Sequence, residues 1–307
     1  MPGAAITLDR VTRRFGATVA VDDLSLEVRR GEMFGLIGPD GAGKTTTIRL
    51  ICGLLRADAG RISVLGADPV RQHGAVTRSA GYLSQRFSLY GDLSVDENIA
   101  FFAEIHGLSG FQARRDRLLE MTQLTAFRDR LADRLSGGMK QKLALACTLV
   151  HEPQVILLDE PTTGVDPVSR REFWKLLSEF LAQGITIVMA TPYLDEAERC
   201  SRVALFSSGK LLVLDSPQAL RDGLPGVILE VLARPQPRAV ELLRELPCLA
   251  GVQTFGERIH VRCGKGDRAS VAPQIERHLR DHQVDVAGVR EIPASLEDVY
   301  INRVSAS

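Results

Sequence analysis

The chain has 307 residues with 38 basic and 38 acidic side chains, a formal net charge of zero, 45% hydrophobic residues and 5% aromatics. This is the composition of a globular chain long enough for about two domains, and it argues against bulk electrostatic binding to nucleic acid or to an anionic membrane. No uncharged apolar run approaches the roughly 20 residues of a membrane span, the opening MPGAAITLDR lacks a basic stretch followed by an apolar core, and the five cysteines are widely spaced with no CxxC pair, so a cytoplasmic chain without disulfide framework or zinc site is expected.

In chain order, Ile6 to Val11 reads as a strand, Thr18 to Val28 as extended structure, and Met33 to Ile37 as a short buried strand running into a glycine-rich loop, with a helix expected from Lys44. A strand-like segment at Gly81 to Gln85 precedes a stretch of helical spacing from about Asp96 to Leu135, which reads as a helical insertion. Apolar runs at Val155 to Leu158, Ile185 to Met189 and Val203 to Phe206 then recur after helical stretches, the pattern of a parallel sheet covered by helices. Ser216-Pro217 reads as a helix N-cap and first turn, and Gly223 with Pro225-Gly226 suggests a boundary between residues 1–224 and 225–307. The remainder has a β-α-β-β-α-β order, so a small ferredoxin-like α+β domain is expected there.

Gly38-Pro39-Asp40-Gly41-Ala42-Gly43-Lys44-Thr45-Thr46 fits GxxxxGK[ST] between an apolar strand and a helical stretch. Glycines there turn backbone N–H groups inward around phosphate oxygens, Lys44 reaches the β- and γ-phosphates, and the Thr45 hydroxyl can ligate Mg²⁺. The partner motif is Val155-Ile156-Leu157-Leu158-Asp159-Glu160, four apolar residues delivering two carboxylates to a strand end. Asp159 is the candidate for the Mg²⁺ shell, and Glu160 for the group that polarises the attacking water.

Leu135-Ser136-Gly137-Gly138-Met139-Lys140-Gln141 sets the class: with the two motifs above, the sequence resembles the ATP-binding cassette (ABC) family over about residues 5 to 220. Ser136, Gly137 and Gly138 opening a helix make a second anion site. The resemblance implies an α/β P-loop NTPase cassette, a mixed sheet with a RecA-like core and a helical subdomain at about residues 86–145. It implies that Phe15 stacks on adenine, that Gln85 contacts magnesium and the water, and that Asp166 lies in the loop crossing to a partner cassette. ATP with Mg²⁺ would be sandwiched between two cassettes, so this chain needs a homodimer or paired subunit to close a site.

Two departures stand out. The family's switch histidine follows a threonine, and here Thr191 is followed by Pro192, which has neither donor nor titratable group; ATP binding is expected intact and hydrolysis weakened. Asp40 stands where the family commonly has Asn, and is expected to point outward or cap a backbone amide so as not to repel phosphate. The segment from Arg86 to Ser94, with Phe87 and Tyr90, follows Gln85, where the family receives the coupling helix of an integral membrane permease. The tail, ending Ala294-Ser295-Leu296-Glu297-Asp298-Val299-Tyr300, resembles that of subunits serving ABC-2 type permeases, including drug-efflux systems, while His260, His278 and His282 read as surface histidines. The leading expectation is an exporter's ATPase subunit at the cytoplasmic face of the membrane, with no nucleic acid partner. A soluble nucleotide switch and a low-turnover regulatory cassette are the alternatives.

Overall fold

The computed structural model describes residues 3–85, 89–264 and 268–305, and the chain forms two compact units, Met1–Asp215 and Ser216–Ser307. The first runs β1 (Ala4–Phe15), β2 (Thr18–Arg29), β3 (Met33–Ile37), α1 (Lys44–Ile51), β4 (Ala59–Val64), α2 (His73–Ser79), β5 (Ala80–Leu83), α3 (Val95–Ile105), α4 (Gln112–Met121), α5 (Gly137–Leu149), β6 (Val155–Asp159), α6 (Pro167–Ala182), β7 (Thr186–Thr191), α7 (Leu194–Ala197), β8 (Arg202–Ser207) and β9 (Lys210–Asp215). No helix among the described residues is long and apolar enough to cross a membrane.

Six strands form a sheet in the order β5-β6-β7-β3-β8-β9, parallel from β5 to β8 and closed by antiparallel β9. β3 and β6 are unbroken buried runs, MFGLI and VILLD, as strands covered on both faces must be. Leu157 is wholly buried, so truncating it to alanine should cost about 2–5 kcal/mol. The parallel register pairs Leu83 with Leu158, Asp159 with Ala190 and Ile37 with Thr191. It therefore brings the loops after β3, β5, β6 and β7 to one edge, the carboxyl edge at which such sheets bind ligands.

A separate antiparallel sheet orders β2-β1-β4. β2 alternates from Leu24 onward, burying Leu24, Leu26 and Val28 and exposing Ser25 and Glu27. β4 and β9 had no strand reading in the sequence, since β4 contributes only Val64 to the fully buried core and β9 only half-buried residues. Helical structure is confirmed between β5 and β6, although it begins at Val95 and runs on to Leu149. Ser94 opens α3 with a capping box, its Oγ accepting from Glu97 N at 3.2 Å and Glu97 accepting from Ser94 N at 2.7 Å. Buried Asn98 donates to the carbonyls of Tyr90, Leu93 and Ser94. That amide fastens the chain entering α3 to the helix itself.

The second unit contains α8 (Pro217–Asp222), β10 (Val227–Arg234), α9 (Gln236–Arg244), β11 (Leu249–Phe255), β12 (Arg258–Cys263), α10 (Arg268–Asp281), β13 (Asp285–Ile292) and α11 (Leu296–Ser305). Its sheet orders β11-β12-β10-β13, antiparallel throughout. Leu229, Val231, Ile259 and Val261 pack with Leu242, Leu243, Ile275 and Leu279 of α9 and α10. α8 falls in the second of the two compact units. His260 is not a surface residue: its Nδ1 lies 3.1 Å from Asp298 Oδ1, with both side chains largely buried.

Candidate functional site

Gly38 and Gly43 are required by close approaches. A Cβ on Gly38 would meet Phe206 O at 2.5 Å, and one on Gly43, at φ 102°, would meet Ala20 O at 2.4 Å. The chain consequently turns tightly from β3 into α1, whose N-terminus has no side-chain cap and presents its first N–H groups to the loop. Lys44, 3% exposed, donates to Gly38 O at 2.8 Å and Pro39 O at 2.9 Å. Burial lowers its pKa, with the charges of Glu160, Asp40 and Asp159 opposing. Ala42 is buried, Thr46 half-buried, and Pro39 and Asp40 are exposed.

Thr45 Oγ1 donates to Asp159 Oδ1 at 2.8 Å, and Tyr82 OH lies 3.5 Å from Oδ2. Asp159 is 1% exposed, and burial raises its pKa against the counter-pull of the Thr45 hydroxyl. Burial also pushes the Tyr82 phenol up to about 12. A hydroxyl and a carboxylate meeting beside the glycine-rich turn and the uncapped start of α1 are the hard oxygen donors that magnesium takes when it also holds a nucleotide phosphate, so these residues fit MgATP.

Glu160 follows with φ 49°, a left-handed conformation unusual for a non-glycine residue, held by its own N–H donating to Ala190 O at 2.8 Å. Gln85 Nε2 donates to Glu160 Oε2 at 2.9 Å, Thr163 Oγ1 reaches the same oxygen at 3.4 Å, and Lys44 Nζ lies 3.9 Å from Oε1. Lys44, Thr45, Gln85, Asp159 and Glu160 are thus one cluster.

The other candidates sit apart from it. Phe15 is 46% exposed with the Arg13 guanidinium 4.7 Å from its ring centre, and Arg13 is tied to Asp58 at 2.8 Å. Ser136 caps α5, its Oγ accepting from Met139 N at 3.3 Å; Gly137 is exposed, and Gly138 packs against Ser169. Asp166 caps α6 by accepting from Val168 N and Ser169 N, each at 3.0 Å. Pro192 is half-buried, and Tyr193 N donates to Thr191 Oγ1 at 3.1 Å. Tyr90 is exposed against the Phe101 ring, whereas Phe87 lies outside the described residues.

Sequence reading missed Tyr82, Thr163 and a further group: buried Glu196, bonded by the hydroxyls of Thr162 and Thr191, with Arg170 Nε at 4.0 Å. The available signal was a carboxylate in a short segment between two buried strands, which periodicity does not mark.

Residues 21–163 match the family of ABC transporters. The chain is 48% identical over 231 residues to the "Probable multidrug ABC transporter ATP-binding protein YbhF" of Escherichia coli strain K12, covering 74% of this chain and 40% of that protein. It therefore spans about two fifths of that relative's length. It is 37% identical over 306 residues to the "Nod factor export ATP-binding protein I" of Paraburkholderia xenovorans, covering 98% of this chain and 97% of that one. A solved ATP-binding subunit of an ABC transporter, 29% identical, superposes with a TM-score of 0.65 over 71% of this chain and 92% of its own.

Proposed function

Because the chain belongs to the ATP-binding proteins of ABC transporters, we propose that it is the ATP-binding and hydrolysing motor of an ABC-2 type exporter, coupling closure of two cassettes to export through a separate permease. The observation that carries this is the cluster at the carboxyl edge, where Lys44, Thr45 and Asp159 stand beside Glu160 and Gln85. The loop 38–46 holds the phosphates, Phe15 takes the adenine, and Thr45, Asp159 and Gln85 hold Mg²⁺. When bound, the metal neutralises charge building on the phosphates. Glu160 accepts a proton from the attacking water, and Gln85 orients it.

Ser136, Gly137 and Gly138 face the γ-phosphate held by a second cassette, and Asp166 lies at that junction. The absence of a titratable group at Pro192 slows turnover without weakening ATP binding. Export rather than import is supported by the relatives' printed names, a multidrug transporter subunit and a Nod factor export subunit. A drug or other hydrophobic cargo, the ABC-2 type of the permease and a place on the cytoplasmic face of the cell's inner membrane belong to the same reading. Residues 225–307 are proposed to be an accessory ferredoxin-like domain, supported by the β-α-β-β-α-β order and the antiparallel strand order β11-β12-β10-β13.

Purified chain should hydrolyse MgATP, lose that activity in Glu160→Gln, and co-purify from membranes with an integral protein of about six helices. Absence of hydrolysis would leave a regulatory cassette, and recovery only from the soluble fraction whatever permease is co-expressed would leave a soluble switch.

A further inference from the structure

A buried carboxylate gives less stability than an apolar side chain of its volume, because its desolvation must be offset by its partners. Its partners show what it can contribute instead. Glu196 is 1% exposed and sits in α7, a helix of four residues. Its Oε1 accepts from Thr162 Oγ1, and its Oε2 accepts from Thr191 Oγ1 at 2.7 Å. The Arg170 guanidinium stands beside it, with Nε 4.0 Å from Oε1.

Each hydroxyl belongs to a different segment. Thr162 lies two residues beyond Glu160, across Pro161, whose ring fixes the backbone between them. Thr191 ends β7, one residue beyond Ala190, whose carbonyl receives the Glu160 N–H at 2.8 Å. Thr191 Oγ1 also accepts from Tyr193 N, so the turn through Pro192 is fastened at the same point. One carboxylate therefore spans the two strand ends between which Glu160 is held in its left-handed conformation.

We infer that Glu196 is a positioning residue for hydrolysis, clamping the loop after Glu160 to the end of β7 so that the Glu160 carboxylate meets the attacking water; this rests on the ATPase reading above. Glu196 touches neither phosphate nor water and acts only through Thr162 and Thr191. Arg170, stacked 5.1 Å over the Tyr193 ring, balances its charge and covers the same turn.

The test compares full-length wild type with Glu196→Ala, Glu196→Gln and Thr162→Val, measuring kcat, affinity for a fluorescent ATP analogue with Mg²⁺, and amide hydrogen exchange. Analogue affinity should stay within about twofold, while kcat falls about tenfold or more in Glu196→Ala, since a displacement of about 1 Å can cost 10²-fold. Glu196→Gln should recover most of kcat, since its carbonyl oxygen accepts from one hydroxyl and its NH₂ can donate to the oxygen of the other. Exchange should rise at the amides of residues 162–164 and of Thr191, Tyr193 and Leu194, and remain unchanged elsewhere. Should Glu196→Ala fail to fold, Thr162→Val, which removes one hydroxyl at nearly constant shape, carries the comparison.

Unchanged kcat and exchange would overturn the inference, as would protection lost across the whole first unit or a Gln variant as impaired as Ala. If wild type itself turned over no ATP, the ATPase reading would fall, and the clamp between the two segments would still be decided by exchange.

Discussion

The carboxamide of Gln85 donates to the carboxylate of Glu160 across 2.9 Å, joining a residue two positions beyond β5 to the one that follows β6. The same carboxylate has Lys44 at 3.9 Å on its other oxygen. A base held between an amide and an ammonium is oriented before any water arrives, and a water reaching it must share or displace the Gln85 contact.

Removing either partner should separate binding from turnover. Glu160→Gln keeps an acceptor for Gln85 and cannot take a proton, so kcat should fall about 10²- to 10⁴-fold with ATP affinity little changed. Gln85→Ala should lower kcat less, because the base survives without its orienting contact. Single-turnover hydrolysis beside equilibrium binding of a fluorescent nucleotide measures both, and an equal fall in affinity would contradict the separation.

The Asp159 carboxyl gives a pH signature. Burial raises its pKa in the folded chain above the unfolded value, so its contribution to stability is fully present below the unfolded pKa and is lost as pH rises through the folded one. At neutral pH the ionised, nucleotide-free site therefore opposes folding. Asp159→Asn should raise the melting temperature of the free chain at pH 7. That gain should shrink as pH is lowered toward the carboxylate range, and Mg²⁺-dependent ATP binding should be lost. Calorimetry from pH 4 to 8 with and without MgATP tests it, and a destabilised Asn variant at pH 7 would refute it.

Gly137 and Gly138 should respond in opposite ways to the same substitution. A Cβ at Gly138 would meet Ser169 Oγ at 2.2 Å and Cβ at 2.4 Å, so Gly138→Ala must push α5 and α6 apart, at a cost of about 1–3 kcal/mol. A Cβ at Gly137 meets nothing within 4 Å. Gly137→Ala should fold as well as wild type and lose ATP-driven dimerisation, seen by light scattering in a Glu160→Gln background.

Pro192→His should raise kcat at saturating ATP severalfold while leaving affinity unchanged, since it restores a titratable donor after Thr191. Tyr193→Phe should leave both unchanged, because the tyrosine is held through its backbone N–H and its ring face under Arg170. Steady-state kinetics on both variants decide between them; a loss confined to Tyr193→Phe would assign the missing contact to the phenol.

Much of this was legible in the chain as written. The loop 38–46 identifies itself because its chemistry is local: glycines that permit a tight turn, a strand before it and a helix after it. The run Val155 to Leu158 announced a strand buried on both faces, and with it the place of Asp159 and Glu160 at its end. β4 and β9 escaped because residues half-buried at a sheet edge carry no alternating pattern.

The sequence by itself determined the fold class, the phosphate loop and the order in which its carboxylates arrive, since each depends on backbone conformation and burial over a few consecutive residues. Only the tertiary structure decided which side chains act together. Thr45 and Asp159 meet across 114 positions, Gln85 and Glu160 across 75, and Thr162 and Glu196 across 34. Those separations are closed by the register of the parallel strands, and register is a property of the packed sheet, not of any segment within it.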